Sequence, residues 1–339
     1  MKIRFAIVCA LAWAGQAAAQ SSPLFDSGEV LELTLVADFA ALEGDRGEVS
    51  PRRPAVLWTA SADGAAVGLE VTVRTRGNFR LRRSTCAFPN LRIDFGEGAG
   101  ATAFAGQDAL KLVAHCRNTD DYEQNALEEY LAYRLYNLVS DASFRVRLAR
   151  FVYADVNGAS APVSRLGFLV EDLDAVAARL GGIAFQSREV NPLLLDPEAT
   201  ARLELFQYMI GNTDFSIVFS HNSELLRLPE GPYRSIPYDF DFAGLVDSPY
   251  ATPDASLGTR SVRERVYRGF CRREVAMEEI YEFFRERRAA FAAAVREVPA
   301  LDVEGQERAV GYLDEFFDVV ASPRARRDLI ERQCRTVPG

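Results

Sequence analysis

The sequence predicts an α+β protein of two packed lobes, with a β-rich first half and a mainly helical second half. Three observations support this. Short segments of the first half alternate apolar and polar residues, which is typical of half-buried strands. In the second half the apolar residues recur at helical spacing. The chain has 339 residues, 48% hydrophobic and 26% charged, a composition that provides a sizeable core and excludes a disordered or multi-span membrane protein.

The elements of the first half follow from this alternation and from the turn residues between the segments. Strands are predicted at residues 30–37, 67–74, 91–95 and 109–115. A helix follows over 122–139, where four leucines form a stripe at helical spacing. Two more strands, 144–155 and 165–170, flank an Asn-Gly turn. A short helix over 173–180 ends at a Gly-Gly pair.

The second half begins with a predicted helix over 198–210, which Gly211 and Asn212 terminate. Strands at 225–228 and 233–240 flank a Pro-Glu-Gly-Pro turn. Helices are then predicted at 274–297, 303–320 and 323–333. The predicted organisation is a signal peptide over 1–19, a β-rich lobe over 20–180 and a mainly helical lobe over 181–339, with a cleft between the lobes.

The N-terminus has the three parts of a secretory signal peptide. Lys2 and Arg4 precede a short apolar run, and small residues then lead to an A-x-A site at Ala17-Ala18-Ala19. The apolar run is too short to span a bilayer. We expect cleavage near Ala19, which predicts a periplasmic or secreted protein with no stable membrane insertion.

Four cysteines remain after cleavage: Cys86, Cys116, Cys271 and Cys334. An even number in an exported protein favours disulfides, although buried free thiols are the alternative. Three pairings are possible. Cys86–Cys116 with Cys271–Cys334 is the favoured one, because each pair then lies within one half of the chain.

The positive charge of the chain is carried almost entirely by arginine. Of 39 basic residues only Lys2 and Lys111 are lysines, and the formal net charge of −9 argues against a nucleic-acid partner. Lys111 lies in an otherwise apolar predicted strand. A compact ammonium differs from a planar guanidinium in volume and donor geometry. We therefore expect Lys111 to bind phosphate, the alternative being an accident of arginine-rich composition.

Acidic and amide residues cluster in the second half of the sequence. Asp214 follows a helix end, Asn222 lies on the same loop, and Asp239 and Asp241 are two apart on a predicted strand, so that their side chains share a face. Such oxygen ligands suit Mg²⁺. Turn capping and salt bridges are the alternative roles.

The order of these residues along the chain matches the order of functional parts in protein kinases. Lys111 on a strand followed by Glu128 on a helix is the arrangement of the kinase Lys–Glu ion pair. An Asp-then-Asn loop and a later Asp complete the set. The chain departs from that pattern because it contains no H-R-D-x-x-x-x-N, no D-F-G and no glycine-rich G-x-G-x-x-G loop.

Four stretches in the same order resemble the spore-coat CotH kinases, an atypical branch of the protein-kinase-like fold. They are RTRGN at 74–78, LKL at 110–112 with RNTD at 117–120, ADVNG at 154–158 with GFLVE at 167–171, and GNTD at 211–214 with Asn222 and PYDFD at 237–241. The resemblance covers about residues 70–245. It implies a kinase-like two-lobed fold.

The same resemblance implies an exported enzyme that transfers the γ-phosphate of ATP to a hydroxyl, expected to be Ser or Thr of an exported protein, with Mg²⁺ or Mn²⁺. One alternative is an inactive, pseudokinase-like scaffold of an envelope or coat. A metal-dependent hydrolase is a further alternative. The sequence does not indicate an oligomeric state.

For the chemistry, the resemblance assigns Asp214 to the acceptor hydroxyl as the catalytic aspartate. It assigns the metal to Asp239, with Asp241 as the close alternative, and Asn222 as a second ligand.

For the nucleotide, the resemblance assigns Lys111 to the phosphates, with Glu128 as its expected ion partner, and places Glu171 near the nucleotide at the lobe junction. The family's P-K-K segment is absent from this chain, and its phosphate-binding role is expected only if Arg76 or Arg92 substitutes for it.

Overall fold

The structure, a computed structural model, describes residues 23–47, 49–96, 99–187 and 189–336. The predicted signal peptide lies outside the described residues. Within them, no helix combines the length and the apolar character needed to cross a membrane.

Seven strands of the first half close into a barrel. They are β1 (Leu31–Ala37), β2 (Arg53–Ala60), β3 (Ala66–Arg76), β4 (Asn90–Phe95), β5 (Ala109–Val113), β6 (Val146–Asp155) and β7 (Val163–Val170). Their order around the barrel is β1-β2-β3-β4-β5-β7-β6, and the parallel β1–β6 pairing closes it. The inward residues of the alternating strands, such as Leu35, Leu57 and Phe151, are fully buried and fill the interior.

Most remaining elements follow the barrel in sequence. The helices are α1 (Phe39–Gly44), α2 (Asp120–Asn137), α3 (Leu173–Arg179), α4 (Pro197–Met209), α5 (Met277–Glu286), α6 (Arg288–Arg296), α7 (Val303–Ala321) and α8 (Pro323–Arg326). A small antiparallel sheet has the order β10-β9-β8, made of β8 (Ile183–Phe185), β9 (Ser223–Arg227) and β10 (Tyr233–Pro237). The predicted α+β class, with a β-rich first half and a helical second half, is confirmed.

The expected two-lobed layout is not evident in the structure. The β-rich half is a closed barrel, and one continuous apolar cluster joins its outer side to the helices. This cluster includes Phe168 of β7 and Leu131 of α2 together with Phe206 of α4 and Phe316 of α7. It therefore runs across the predicted boundary between residues 180 and 181, because α2 packs both on the barrel and on the helical half.

Some elements were missed and some expectations were wrong. The elements that were not predicted are α1, β2 and β8; β2 contains Pro54, a residue that strand patterns usually avoid. The helix predicted over 274–297 is divided at Arg287 into α5 and α6. β10 ends at Pro237 instead of continuing to residue 240, so Asp239 and Asp241 do not lie on a strand.

Both predicted disulfides are confirmed. Cys86 bonds to Cys116, and Cys271 bonds to Cys334. The first joins the segment after β3 to the segment after β5. The second joins the loop before α5 to the last described residues.

Candidate active site

A cavity of about 510 Å³ lies between the outer face of the barrel and two loops of the second half. The barrel contributes basic side chains from β3, β4 and β5, and the loops after α4 and β10 contribute acidic and amide side chains. Six predicted site residues line it: Arg76, Lys111, Asp214, Asn222, Asp239 and Asp241. Glu128 and Glu171 are not among its lining residues.

Three cations of the cavity form a row across three adjacent strands, each at a position paired with the next. Arg74 of β3 is paired with Arg92 of β4, and Arg92 is paired with Lys111 of β5. Neighbouring strands are about 4.8 Å apart, so this cationic ladder spans roughly 10 Å. Like charges directly opposite destabilise a sheet. Asp94 offsets part of the repulsion through contacts of 3.0 Å with Arg92 and 4.0 Å with Arg74.

Lys111 is held by aromatic rings. Its Nζ lies 4.9 Å from the ring centre of Tyr238 and 5.6 Å from that of Phe144, distances typical of cation–π contacts. Burial lowers the pKa of Lys111, and the charge of Arg76 lowers it further. The ammonium is therefore a partly desolvated charge that an anionic ligand would stabilise.

The expected ion pair between Lys111 and Glu128 is not present. Glu128 accepts hydrogen bonds from Asn125 at 3.1 Å and from Arg308 of α7 at 3.0 Å, and burial raises its pKa to about 7. The side chain lies on the α2 face that contacts the helical half. Adjacent residues on a helix point about 100° apart, and the next residue, Glu129, contacts Arg80, which lines the cavity.

Glu171 is also engaged away from the cavity. Its carboxylate accepts from the backbone amide of Arg145 and from the Arg179 guanidinium, both at 3.0 Å. It therefore ties the end of β7 to α3. The expectation that Glu171 lies near the nucleotide was based on the resemblance of the hairpin to that of the family. The side-chain contacts of Glu171 are instead with Arg145 and Arg179.

A buried network that includes Arg80 and Glu129 was not predicted. Arg80 Nη1 lies 3.5 Å from Glu129 Oε2, and its Nη2 donates to the carbonyl of Ala114. Both charged side chains are buried. Burial, and next the charge of Asp241, raises the pKa of Glu129 well above its ordinary value. The available signal was the position of Arg80 two residues after the RTRGN stretch.

Asp214 is fixed by its own loop. Its backbone amide donates to Asn212 Oδ1 at 2.9 Å, and Asn222 Nδ2 donates to its Oδ2 at 3.0 Å and its carbonyl at 2.7 Å. His221 Nε2 lies 2.9 Å from Asp214 Oδ1, and this hydrogen bond raises the pKa of His221. Both carboxylate oxygens of Asp214 therefore have partners within the chain, and His221 is a second cavity residue that was not predicted to act there.

Asp239 and Asp241 reach the cavity from a turn. Asp239 has a φ of +61°, and its backbone amide donates to Tyr133 Oη at 2.9 Å. Asp241 is buried and accepts from Tyr250 Oη at 3.0 Å. Burial, and next the charge of Asp239, raises the pKa of Asp241 to about 7.

Backbone strain is concentrated at this site. Ser220, Asn222 and Asp239 all have φ values between +48° and +61°, a region that residues with side chains rarely occupy. Such strain persists only where the surrounding contacts require it, and it is frequent at functional sites.

The carboxylates suit a cation that is shared with a phosphate ligand. The described residues contain no group of three or more His, Cys, Asp or Glu side chains placed to hold a metal ion. Mg²⁺ is usually held by one or two carboxylates plus substrate phosphates and water. Asp239 and Asp241 supply that number, and Asn222 has its Oδ1 to offer, because its Nδ2 is bonded to Asp214.

No protein-family model and no curated protein matches the chain. One solved structure that matches is the Helicobacter pylori proinflammatory kinase CtkA, at 11% sequence identity and a TM-score of 0.40, covering 70% of this chain and 92% of that chain. A TM-score at this level carries no argument about function.

Proposed function

We propose that the protein is an ATP-dependent phosphotransferase that transfers the γ-phosphate to a hydroxyl of an exported protein, using Mg²⁺ or Mn²⁺. One observation carries the proposal. The cationic ladder of Arg74, Arg92 and Lys111 lines the same cavity as the carboxylates of Asp214, Asp239 and Asp241. Such a cavity matches a polyanion with a bound divalent cation, which is the form in which cells supply ATP.

In this proposal the cationic ladder binds the phosphates, and Arg76 and Lys111 contact them from β3 and β5. Asp239 and Asp241 hold the cation, with Asn222 Oδ1 as a further ligand. A bound Mg²⁺ neutralises phosphate charge during transfer. Catalysis then depends on positioning and on electrostatic stabilisation.

Asp214 orients the acceptor hydroxyl. Its carboxylate is held by Asn222 and His221, so the hydroxyl must displace or share one of these hydrogen bonds. This engagement favours a second candidate, a pseudokinase-like scaffold that binds nucleotide without transfer. A metal-dependent hydrolase using the same carboxylates ranks below both.

Thermal unfolding with ATP and Mg²⁺ or Mn²⁺ tests nucleotide binding, and phosphate transfer to a mixture of exported proteins tests catalysis. We expect a concentration-dependent rise in Tm and transfer that Asp239→Ala abolishes. Lys111→Arg should also impair transfer, because the larger guanidinium does not fit between Tyr238 and Phe144 in the same way. Arg324→Gln, at an exposed position of α8, is the control.

Three results would separate the candidates. A Tm that does not respond to nucleotide and cation would refute nucleotide binding altogether. A rise in Tm with nucleotide and cation, but without any phosphate transfer, would support the pseudokinase-like scaffold. Full transfer by Lys111→Arg would contradict the proposed role of the single described lysine.

A further inference from the structure

An exposed group of arginines lies at the rim of the cavity. Phe79 and Leu81 line the cavity, and the chain then continues through Arg82 and Arg83 on the surface. The disulfide between Cys86 and Cys116 brings Arg117 to the same segment. We call Arg82, Arg83 and Arg117 the arginine rim.

The contacts of the rim arginines are with neutral groups. The Arg82 guanidinium lies 5.1 Å from the ring centre of Phe79. Arg83 Nη2 donates to the backbone carbonyl of Glu43 at 2.9 Å, and Arg117 Nη2 donates to the carbonyl of Ser84 at 2.7 Å. Among the described residues, no carboxylate oxygen lies within 4.0 Å of these three guanidiniums. Each guanidinium has five N–H donors, so most of them remain available to a ligand.

Arg46 anchors the backbone of the segment that carries the arginine rim. Its Nη1 donates to the carbonyls of Cys86 at 2.9 Å and Leu81 at 3.3 Å. Burial, and next the charge of Arg83, lowers the pKa of Arg46, and the charge of Glu43 offsets part of this effect. A carboxylate in the same region, Asp120, is engaged by Arg165 at 2.7 Å.

We propose that the arginine rim binds an acidic segment of the acceptor protein, rich in Asp or Glu, next to the hydroxyl that enters the cavity. This rests on the proposed function and specifies its substrate class. The chain as a whole has a net charge of −9, so a basic patch beside the site is a local feature that overall charge does not explain. Guanidiniums bind carboxylates through paired, charge-assisted hydrogen bonds.

Binding is tested without any need for catalysis. A fluorescent serine peptide flanked by glutamates is titrated with the full protein at low and high NaCl, beside the same peptide with glutamines. We expect the glutamate peptide to bind about tenfold more tightly at low salt and to lose that advantage at high salt. The double variant Arg82→Gln/Arg83→Gln should remove the preference, whereas Arg324→Gln/Arg332→Gln on the opposite end of the chain should keep it.

Two outcomes would overturn the inference: equal binding of both peptides, or a preference that survives in the Arg82/Arg83 variant. A single-stranded oligonucleotide that binds more tightly than the glutamate peptide would also overturn it, by assigning the rim to nucleic acid. If transfer is observed, the rim variant should raise KM for the acidic peptide while leaving KM for ATP unchanged. A preference for the glutamate peptide without any phosphate transfer would support the binding role of the arginine rim. It would contradict only the proposed phosphotransferase activity.

Discussion

Single residues at this site have charge states that differ from those of the same groups in water. Asp241 is the clearest case, since it is buried beside Asp239 with one Tyr250 hydrogen bond, and Arg80 is the nearby cation. An ionised carboxylate in that position is unfavourable until another cation arrives. The ionised form of Asp241 therefore costs stability, which a bound cation, as in the proposed function, would recover.

This gives a pH-dependent prediction for Asp241→Asn. The pKa of Asp241 is raised from 3.8 to about 7, so the folded state holds a proton that the unfolded state has released. The protonated Asp241 carboxyl contributes its full share to the free energy of unfolding below about pH 4. This contribution is lost as the pH rises to about 7. Without divalent cations, the Asp241→Asn variant should be more stable than the wild type at pH 8 and similar to it at pH 4. The rise in Tm at pH 8 should be roughly 2–4 °C for each kcal/mol by which removing the buried charge raises the free energy of unfolding.

Thermal unfolding at both pH values measures the effect, and Glu230→Gln in the exposed β9–β10 turn is the control. If the two variants showed the same pH profile, the raised pKa of Asp241 would be refuted.

At the scale of elements, the loop that carries Asp214 depends on how α4 ends. Gly211 follows the helix with a φ of +65°, and the amide of Asn212 donates to the carbonyl of Gln207 at 2.8 Å, as is common at helix C-termini. A Cβ at Gly211 would lie 2.0 Å from Tyr312 Oη of α7. Backbone conformation and tertiary packing therefore both require glycine here.

Gly211→Ala should destabilise the protein by more than backbone strain alone. Gly231 has a φ of +93° and open space around its Cβ position, so Gly231→Ala isolates the strain, at about 1–2 kcal/mol. Gly211→Ala should cost an additional 1–3 kcal/mol or so for overpacking. Urea unfolding measures both, and Tyr312→Phe should recover part of the Gly211→Ala loss. Equal losses for the two glycine variants would show that Tyr312 does not limit this loop.

At the scale of the molecule, the Cys271–Cys334 disulfide joins the end of the described chain to its body. The two cysteines are 63 residues apart, and Phe270 forms a β-bridge with Arg335 beside them. Crosslinks over longer loops restrict the unfolded chain more strongly.

Replacing both Cys271 and Cys334 by serine should lower the free energy of unfolding by about 4 kcal/mol. Denaturant unfolding of oxidised protein measures the loss, and adding a reductant to the wild type, which also opens Cys86–Cys116, should give a loss at least as large. An unchanged midpoint in the double variant would mean that the β-bridge and helix packing alone hold this end.

From the sequence alone follow the class of the fold, most of its elements, the favoured pairing of the four cysteines and six of the residues that line the cavity. These depend on local periodicity, on turn residues and on the order of motifs, all of which can be recognised one segment at a time. The tertiary structure alone shows that the strands close into a barrel, that Glu129 and not Glu128 contacts the cavity-lining Arg80, and that Asp239 sits in a strained turn. Each of these depends on contacts between residues far apart in the chain: the β1–β6 pairing, the Arg308 contact to Glu128, and the Tyr133 hydroxyl under Asp239.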